Sequence, residues 1–233
     1  MRSRHAPHEW TDRSNDCRHN WTDPSRAIRL TAMAHQPTTD RGRRSRDRIV
    51  AAASELMATH GVSGTGIERV LARAGASKSQ LYHFFDDKDD LVRAVIQARL
   101  DGVLGAQGPL LAELDDWAGI RRWLDLMISE NEAHGLPGCP IGSLAAELCG
   151  RDEAARADLE RCFEILESHL ADGLASMRAR GLLVPEADPR RLAMVVFAAF
   201  QGGLLLARTR QDVEPLRVAL DAAYEHLRSF RSR

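Results

Sequence analysis

Thr65-Gly66-Ile67-Glu68-Arg69-Val70-Leu71-Ala72-Arg73-Ala74-Gly75-Ala76-Ser77-Lys78-Ser79-Gln80-Leu81-Tyr82-His83-Phe84 is the stretch that decides how the chain is built. Ile67, Val70, Leu71 and Ala74 recur at helical spacing, Gly75 interrupts them, and Leu81, Phe84 and Phe85 resume the pattern. This reads as helix, tight turn, helix. Ser77 opens the second helix as an N-cap, because its hydroxyl can accept from a free amide at the helix start. Lys78, Ser79, Gln80, Tyr82 and His83 fall off the apolar stripe and supply donors and acceptors suited to phosphates and base edges. A merely solvated helix face has similar spacing, but the joint presence of cap, turn glycine, Tyr82 and Lys88 favours a DNA reader.

From about residue 44 to 104 the chain resembles the TetR family of transcriptional regulators, without a gap through the helix-turn-helix. The family's threonine at the start of the first reader helix matches Thr65, and its turn glycine matches Gly75. Its Leu-Tyr-x-x-Phe-x-x-Lys-x-x-Leu run matches Leu81, Tyr82, Phe85, Lys88 and Leu91. Leu71 departs from the pattern, which usually has a small residue there. The resemblance implies an all-α fold, with a three-helix DNA-binding unit and a C-terminal helical core for ligand binding and dimerisation. It also implies that Thr65, Ser77, Tyr82 and Lys88 hold phosphates, that Lys78, Ser79 and Gln80 face base edges, and that His83 can do either. Lysine can donate to guanine, and glutamine can hold adenine through two bonds. The implied partners are double-stranded DNA at a palindromic operator, a small-molecule effector and a second copy of the chain.

Charge is distributed unevenly around this reader. Residues 1 to 48 hold 11 arginines against 6 acids, residues 49 to 105 hold 6 basic and 7 acidic groups, and residues 106 to 233 hold 15 and 20. The run Arg41, Arg43, Arg44, Arg46 and Arg48 sits just before the first expected helix, which starts at about Ser45, where a phosphate contact suits it. Lys78 and Lys88 are the only lysines among 32 basic residues. Cys17, Cys139, Cys149 and Cys162 form no zinc-like spacing, so no metal or other cofactor is expected, and a reduced cytoplasmic chain is the default. No apolar signal segment follows Met1. The most apolar stretch, Leu192 to Ala207, falls short of a membrane span and reads as an interface helix.

Three units follow: a disordered basic extension at 1 to 42, a DNA-binding domain at 43 to 104, and a regulatory and dimerisation domain at 105 to 233. In the extension Trp10 and Trp21 are unusual, and Met33 is a second possible start. The first helix spans about 45 to 60, with Ile49, Val50, Ala53, Leu56 and Met57 inward. A later one starts at Asp86 and Asp87 and ends or kinks near Gly102, Gly105, Gly108 and Pro109. The remainder reads as helices at about 117 to 134, 141 to 149, 153 to 180, 189 to 209 and 214 to 231, without a strand pattern. Small residues in the last two suit close packing, either within one core or against a second copy.

Gly138-Cys139-Pro140-Ile141-Gly142-Ser143-Leu144 is the second distinctive stretch. Pro140 suits a first helical turn, which puts Cys139 at a helix N-terminus where amide dipoles can lower a thiol pKa. The stretch resembles an element in one branch of the same family that includes drug- and flavonoid-responsive repressors. Trp123, Met127, Cys139, Phe163 and Phe197 are candidates for an effector pocket, with Trp117 and Leu166 beside them and His134, His169 or Gln201 as polar contacts. Core packing has the same periodicity. No nucleophile, base and acid come together, so catalysis has no positive support. The leading expectation is a ligand-released repressor of a neighbouring efflux or detoxification gene. Its rivals are a regulator driven by Cys139 oxidation and a helical binding protein or enzyme that does not touch DNA.

Overall fold

Side-chain caps mark most of the helix starts. In the computed structural model, which describes residues 37 to 233, Thr39, Ser77, Asp87, Asp116, Asp152 and Asp188 each accept a hydrogen bond from an amide in the following turn. The helices are α1 (Asp40–His60), α2 (Ile67–Ala74), α3 (Lys78–Phe84), α4 (Lys88–Leu111) and α5 (Trp117–Ala133). They continue as α6 (Pro140–Leu148), α7 (Glu153–Ala179), α8 (Pro189–Arg210) and α9 (Glu214–Arg228). Among the described residues there is no strand, only an isolated bridge between Leu183 and Arg231. The all-α expectation holds. The readings of Trp10, Trp21, Cys17 and Met33, and of the extension up to residue 36, lie outside the described residues, while residues 40 to 42, expected to be disordered, are the start of α1.

Two boundaries differ from the sequence reading. Helix α1 begins at Asp40 rather than Ser45, because the Thr39 hydroxyl accepts from the Gly42 amide at 3.1 Å. The arginine run is therefore the first turns of α1, not a flank before it. Helix α4 runs unbroken past Gly102, Gly105 and Gly108 and contains Pro109 near its end. It is continuous across the junction between residues 104 and 105.

Helices α1, α2 and α3 enclose Ile49, Val50, Ala53, Met57, Val70, Leu81, Phe84 and Phe85, all buried. The N-terminal half of α4 closes this core with Leu91, Val92 and Val95, and its other contacts are with α5, α6 and α7. Helix α7 then packs on α8, and α8 packs along α9. Each fully buried large apolar side chain contributes about 1.5–3 kcal/mol, so this shared apolar cluster fixes the arrangement. Helix α8 is 22 residues long and, with a mean hydropathy of 1.6 in its most apolar window, is long and apolar enough to cross a membrane. That exceeds what the sequence reading allowed. Its inner face nevertheless buries Leu192, Val196, Phe197 and Leu204 in the core. Met194, Val195, Leu205 and Leu206, with Val218 of α9, stay exposed.

The crossing of α7 with the end of the α4 connection leaves no room at Gly173, where a Cβ would lie 2.3 Å from the Leu114 carbonyl oxygen. Gly173→Ala is expected to destabilise by about 1–3 kcal/mol. Gly102→Ala, in a helical position with open space around it, should stabilise by about 0.5–1 kcal/mol. Thermal melts of the two variants, which move in opposite directions, check this packing.

Candidate DNA-reading surface and core cavity

The turn between α2 and α3 depends on Gly75, whose φ of 59° and ψ of 41° lie in the left-handed region. Ser77 then starts α3 with a reciprocal pair of bonds. Its hydroxyl accepts from the Gln80 amide at 3.2 Å, and the Gln80 Oε1 accepts from the Ser77 amide at 2.8 Å. Leu81 and Phe84 face the core, which leaves Lys78, Ser79, Gln80 and His83 exposed and Tyr82 half-exposed. The Lys78 ammonium lies 5.9 Å from the Tyr82 ring centroid, so the two share one surface. Arg44 is exposed on α1. Within the same arginine run Arg43 pairs with Asp40, and Arg46 lies over the Phe85 ring.

A cavity of about 350 Å³ opens inside the C-terminal helices. Its apolar wall comes from Leu111, Trp123, Met127, Ile141, Leu166, Phe197, Phe200 and Leu204. Its polar groups are Gln107, Glu130, Asn131, Gln201 and the Cys139 thiol. The Trp123 Nε1 donates to the Gln107 Oε1 at 3.0 Å. Asn131 donates to the Met127 carbonyl at 2.9 Å, while its buried Oδ1 has no partner among the described residues. Cys139 is the N-cap of α6, and its Sγ accepts from the Gly142 amide at 3.2 Å. A cavity of this size and lining can take a small, mostly apolar molecule that offers donors to these acceptors.

A surface helix behind a glycine turn, below a core with an internal cavity, matches known proteins in both halves. Residues 49–95 fit the model of bacterial regulatory proteins of the tetR family. Residues 117–222 fit the C-terminal domain of LmrA/YxaF-like transcriptional regulators. An HTH-type transcriptional regulator in the lacX 3' region of Lactococcus lactis is 31% identical over 188 residues, covering 77% of this chain and 91% of that protein. The chain belongs to the TetR family of transcriptional regulators. The transcriptional repressor NemR of Escherichia coli is 26% identical over 184 residues, covering 76% of this chain and 90% of its own length. A TetR regulator from Chloroflexus aurantiacus has the same fold, with a TM-score of 0.70, 24% identity, and 83% and 98% of the two chains covered.

Within this TetR-family frame three expected contacts sit differently. Thr65 is only 1% exposed, and its hydroxyl donates to the Gly61 carbonyl at 2.7 Å, so it braces the α1–α2 turn from inside. Lys88 is half-buried, with its Nζ donating to the Val62 carbonyl at 2.7 Å, so its charge ties α4 to that same turn. Phe163 does not line the cavity. Leu166, nearly one turn further along α7, takes that place, while Trp123, Met127, Cys139 and Phe197 do line it. Trp117 packs edge-on against Tyr224 instead, and of the three polar candidates only Gln201 reaches the cavity. Arg99 and Glu147 carry no local sequence signal, because their partners Ser54 and Val62 lie 45 and 85 residues away.

The cysteines differ sharply in environment. Burial, with Asp158 and Asp101 nearby, pushes the Cys162 thiol up to about 12, while Cys139 is half-buried and Cys149 exposed. Among the described residues no group of three His, Cys, Asp or Glu side chains could hold a metal ion. Iodoacetamide at pH 8 is expected to modify Cys149 and Cys139 in the folded protein and Cys162 only after denaturation. Peptide mass mapping would show the order.

Proposed function

We propose that the chain is a dimeric repressor that leaves its operator when a small molecule occupies the core cavity. The observation that carries this is the pairing of the exposed polar face of α3 with a lined cavity in the same molecule, joined by α4. Lys78, Ser79, Gln80 and His83 face DNA, with Arg44 and Tyr82 on phosphates and Ser77 as the cap that aims α3. Thr65 and Lys88 act indirectly, by holding the turn behind the reader.

Dimerisation is supported by the exposed apolar stripe of α8 and α9, Met194, Val195, Leu205, Leu206 and Val218. Two copies paired there place two α3 helices on successive major grooves, about 34–36 Å apart, and demand a two-fold operator. The cavity accepts an apolar molecule with donor groups, and such an effector works only by binding the DNA-incompetent state more tightly. The relative NemR bears the name of a repressor, which supports repression here. A cavity for foreign apolar molecules suits control of a neighbouring efflux or detoxification gene, in the cytoplasm where the DNA lies. A second reading, in which the input is chemistry at Cys139, is favoured by the position of that thiol in the cavity wall at the start of α6.

Selection of bound duplexes from a random pool would yield the operator, and gel shifts would then measure affinity. Lys78→Ala should weaken binding and relax base choice at one position by about 1–3 kcal/mol. Gln80→Glu keeps the reciprocal cap but removes the amide donor, so stability should hold while preference at its base is lost. Wild-type affinity and base choice in both variants would sink the assignment. Leu205→Glu should convert the dimer to a monomer in sedimentation and abolish operator binding, whereas an unchanged dimer would place the interface elsewhere. Release of Cys139→Ser from DNA by oxidant, as readily as wild type, would exclude the thiol reading.

A further inference from the structure

Helix α6 is anchored at both ends to parts of the reader. At its start, the Arg99 side chain of α4 is 8% exposed, and its Nη1 donates to the Pro140 carbonyl at 2.6 Å. The same guanidinium donates through Nη2 to the Ser54 carbonyl of α1 at 3.1 Å and through Nε to the Ser54 hydroxyl at 3.3 Å. Each of these three acceptors is neutral, so a buried cation depends on keeping them. Burial accordingly lowers its pKa from the usual arginine value.

At the other end, the Glu147 carboxylate accepts from the Val62 and Ser63 amides, both at 2.8 Å, in the turn that leads from α1 to α2. Arg151, just beyond α6, donates to the Ser63 hydroxyl at 3.1 Å. The approach is close. A Cβ at Gly61, where φ is 71°, would sit 3.0 Å from the Glu147 Oε2. Burial alone would raise the Glu147 carboxyl, yet the Ser63 and Val62 amides, the Ser63 hydroxyl and Arg151 together hold it below its ordinary value. The carboxylate is thus charged, and able to accept both amides, at neutral pH.

Between these ends α6 is a nine-residue helix, about 13 Å long, with Ile141, Leu144 and Leu148 buried. Its first residues, Cys139 and Pro140, are cavity wall. Resting on the reading of the cavity as the effector site, we infer that Arg99 and Glu147 are positioning residues that make α6 a direct strut from the cavity to the α1–α2 turn. A group that displaces Pro140 takes an acceptor away from Arg99. A helix shifted by as little as about 1 Å can no longer keep both amides of Val62 and Ser63 at bonding distance. The signal therefore reaches the turn behind α2 without first bending α4.

Carbamidomethylation of Cys139 by iodoacetamide is the probe, applied to the full chain with Cys17→Ser and Cys149→Ser. Hydrogen exchange is followed on a peptide covering residues 61 to 66, alongside affinity for the selected operator. Alkylation should speed exchange at Val62 and Ser63 about tenfold, as expected for local opening of a turn, and weaken operator binding. In Glu147→Ala, exchange there should be fast from the outset, DNA should still bind, and alkylation should no longer weaken it. Glu147→Gln, which keeps one acceptor oxygen, should respond partially, and it serves if the alanine variant does not fold. Arg99→Lys should likewise blunt the response. Equal loss of operator binding on alkylation in wild type and both Glu147 variants, with wild-type exchange at Val62 and Ser63 unchanged, overturns the strut but leaves the cavity as effector site. Alkylation that alters neither exchange nor DNA binding overturns both.

Discussion

The arrangement of this molecule depends on how deeply α4 is buried over residues 91 to 100, where only Ala98 is exposed. Leu91, Val95, Ile96 and Leu100 are completely buried, and Asp90, Gln97 and Arg99 of the same helix are nearly so. A close-packed interior does not deform smoothly, so a rod shared by two cores makes them one mechanical body. Helix α4 is thus a wall common to α1 on one side and to α5, α6 and α7 on the other. The DNA-binding unit is small, and its helices α2 and α3 have eight and seven residues. Helices that short are marginal in isolation and owe their stability to the face they bury.

Much of this was legible from local chemistry. The helix-turn-helix was carried by an apolar period, a glycine and a serine cap, and these are features of neighbouring residues. The C-terminal helices ended within a few residues of their expected limits because Asp116, Asp152 and Asp188 announce starts and Pro189 and Pro215 sit in first turns. Helix α1 starts earlier than its apolar period implies, because its cap, Thr39, lies before an arginine run that carries no apolar stripe. Glycines at 102, 105 and 108 suggested an end to α4, yet an isolated glycine costs a helix only about 1 kcal/mol and tertiary burial outweighs it.

What was not legible is long-range pairing. Thr65 and Lys88 carry polar groups that look outward in a sequence, and their burial depends on how the α1–α2 turn folds over them. Phe163 and Leu166 lie on the same helix, and only the rotation of α7 against α5 and α8 decides which one faces the cavity. Surface charge offered little help, because Arg156 with Glu153 and Glu160, and Arg121 with Asp125 and Asp221, form exposed pairs that contribute little to stability. The arginine that matters most structurally, Arg99, is bound by carbonyl and hydroxyl oxygens instead.

On the proposed reading of α3 as the DNA-facing helix, the reciprocal cap at its start bears on which group of Gln80 is offered to a base. While the Gln80 Oε1 holds the Ser77 amide, that oxygen is engaged and the side-chain NH2 is the group left to meet a base. Contact with phosphates through the neighbouring residues would leave this cap in place. A base that accepts from this NH2 would then be met without breaking the cap, and the cap would hold the donor in one place while it is offered.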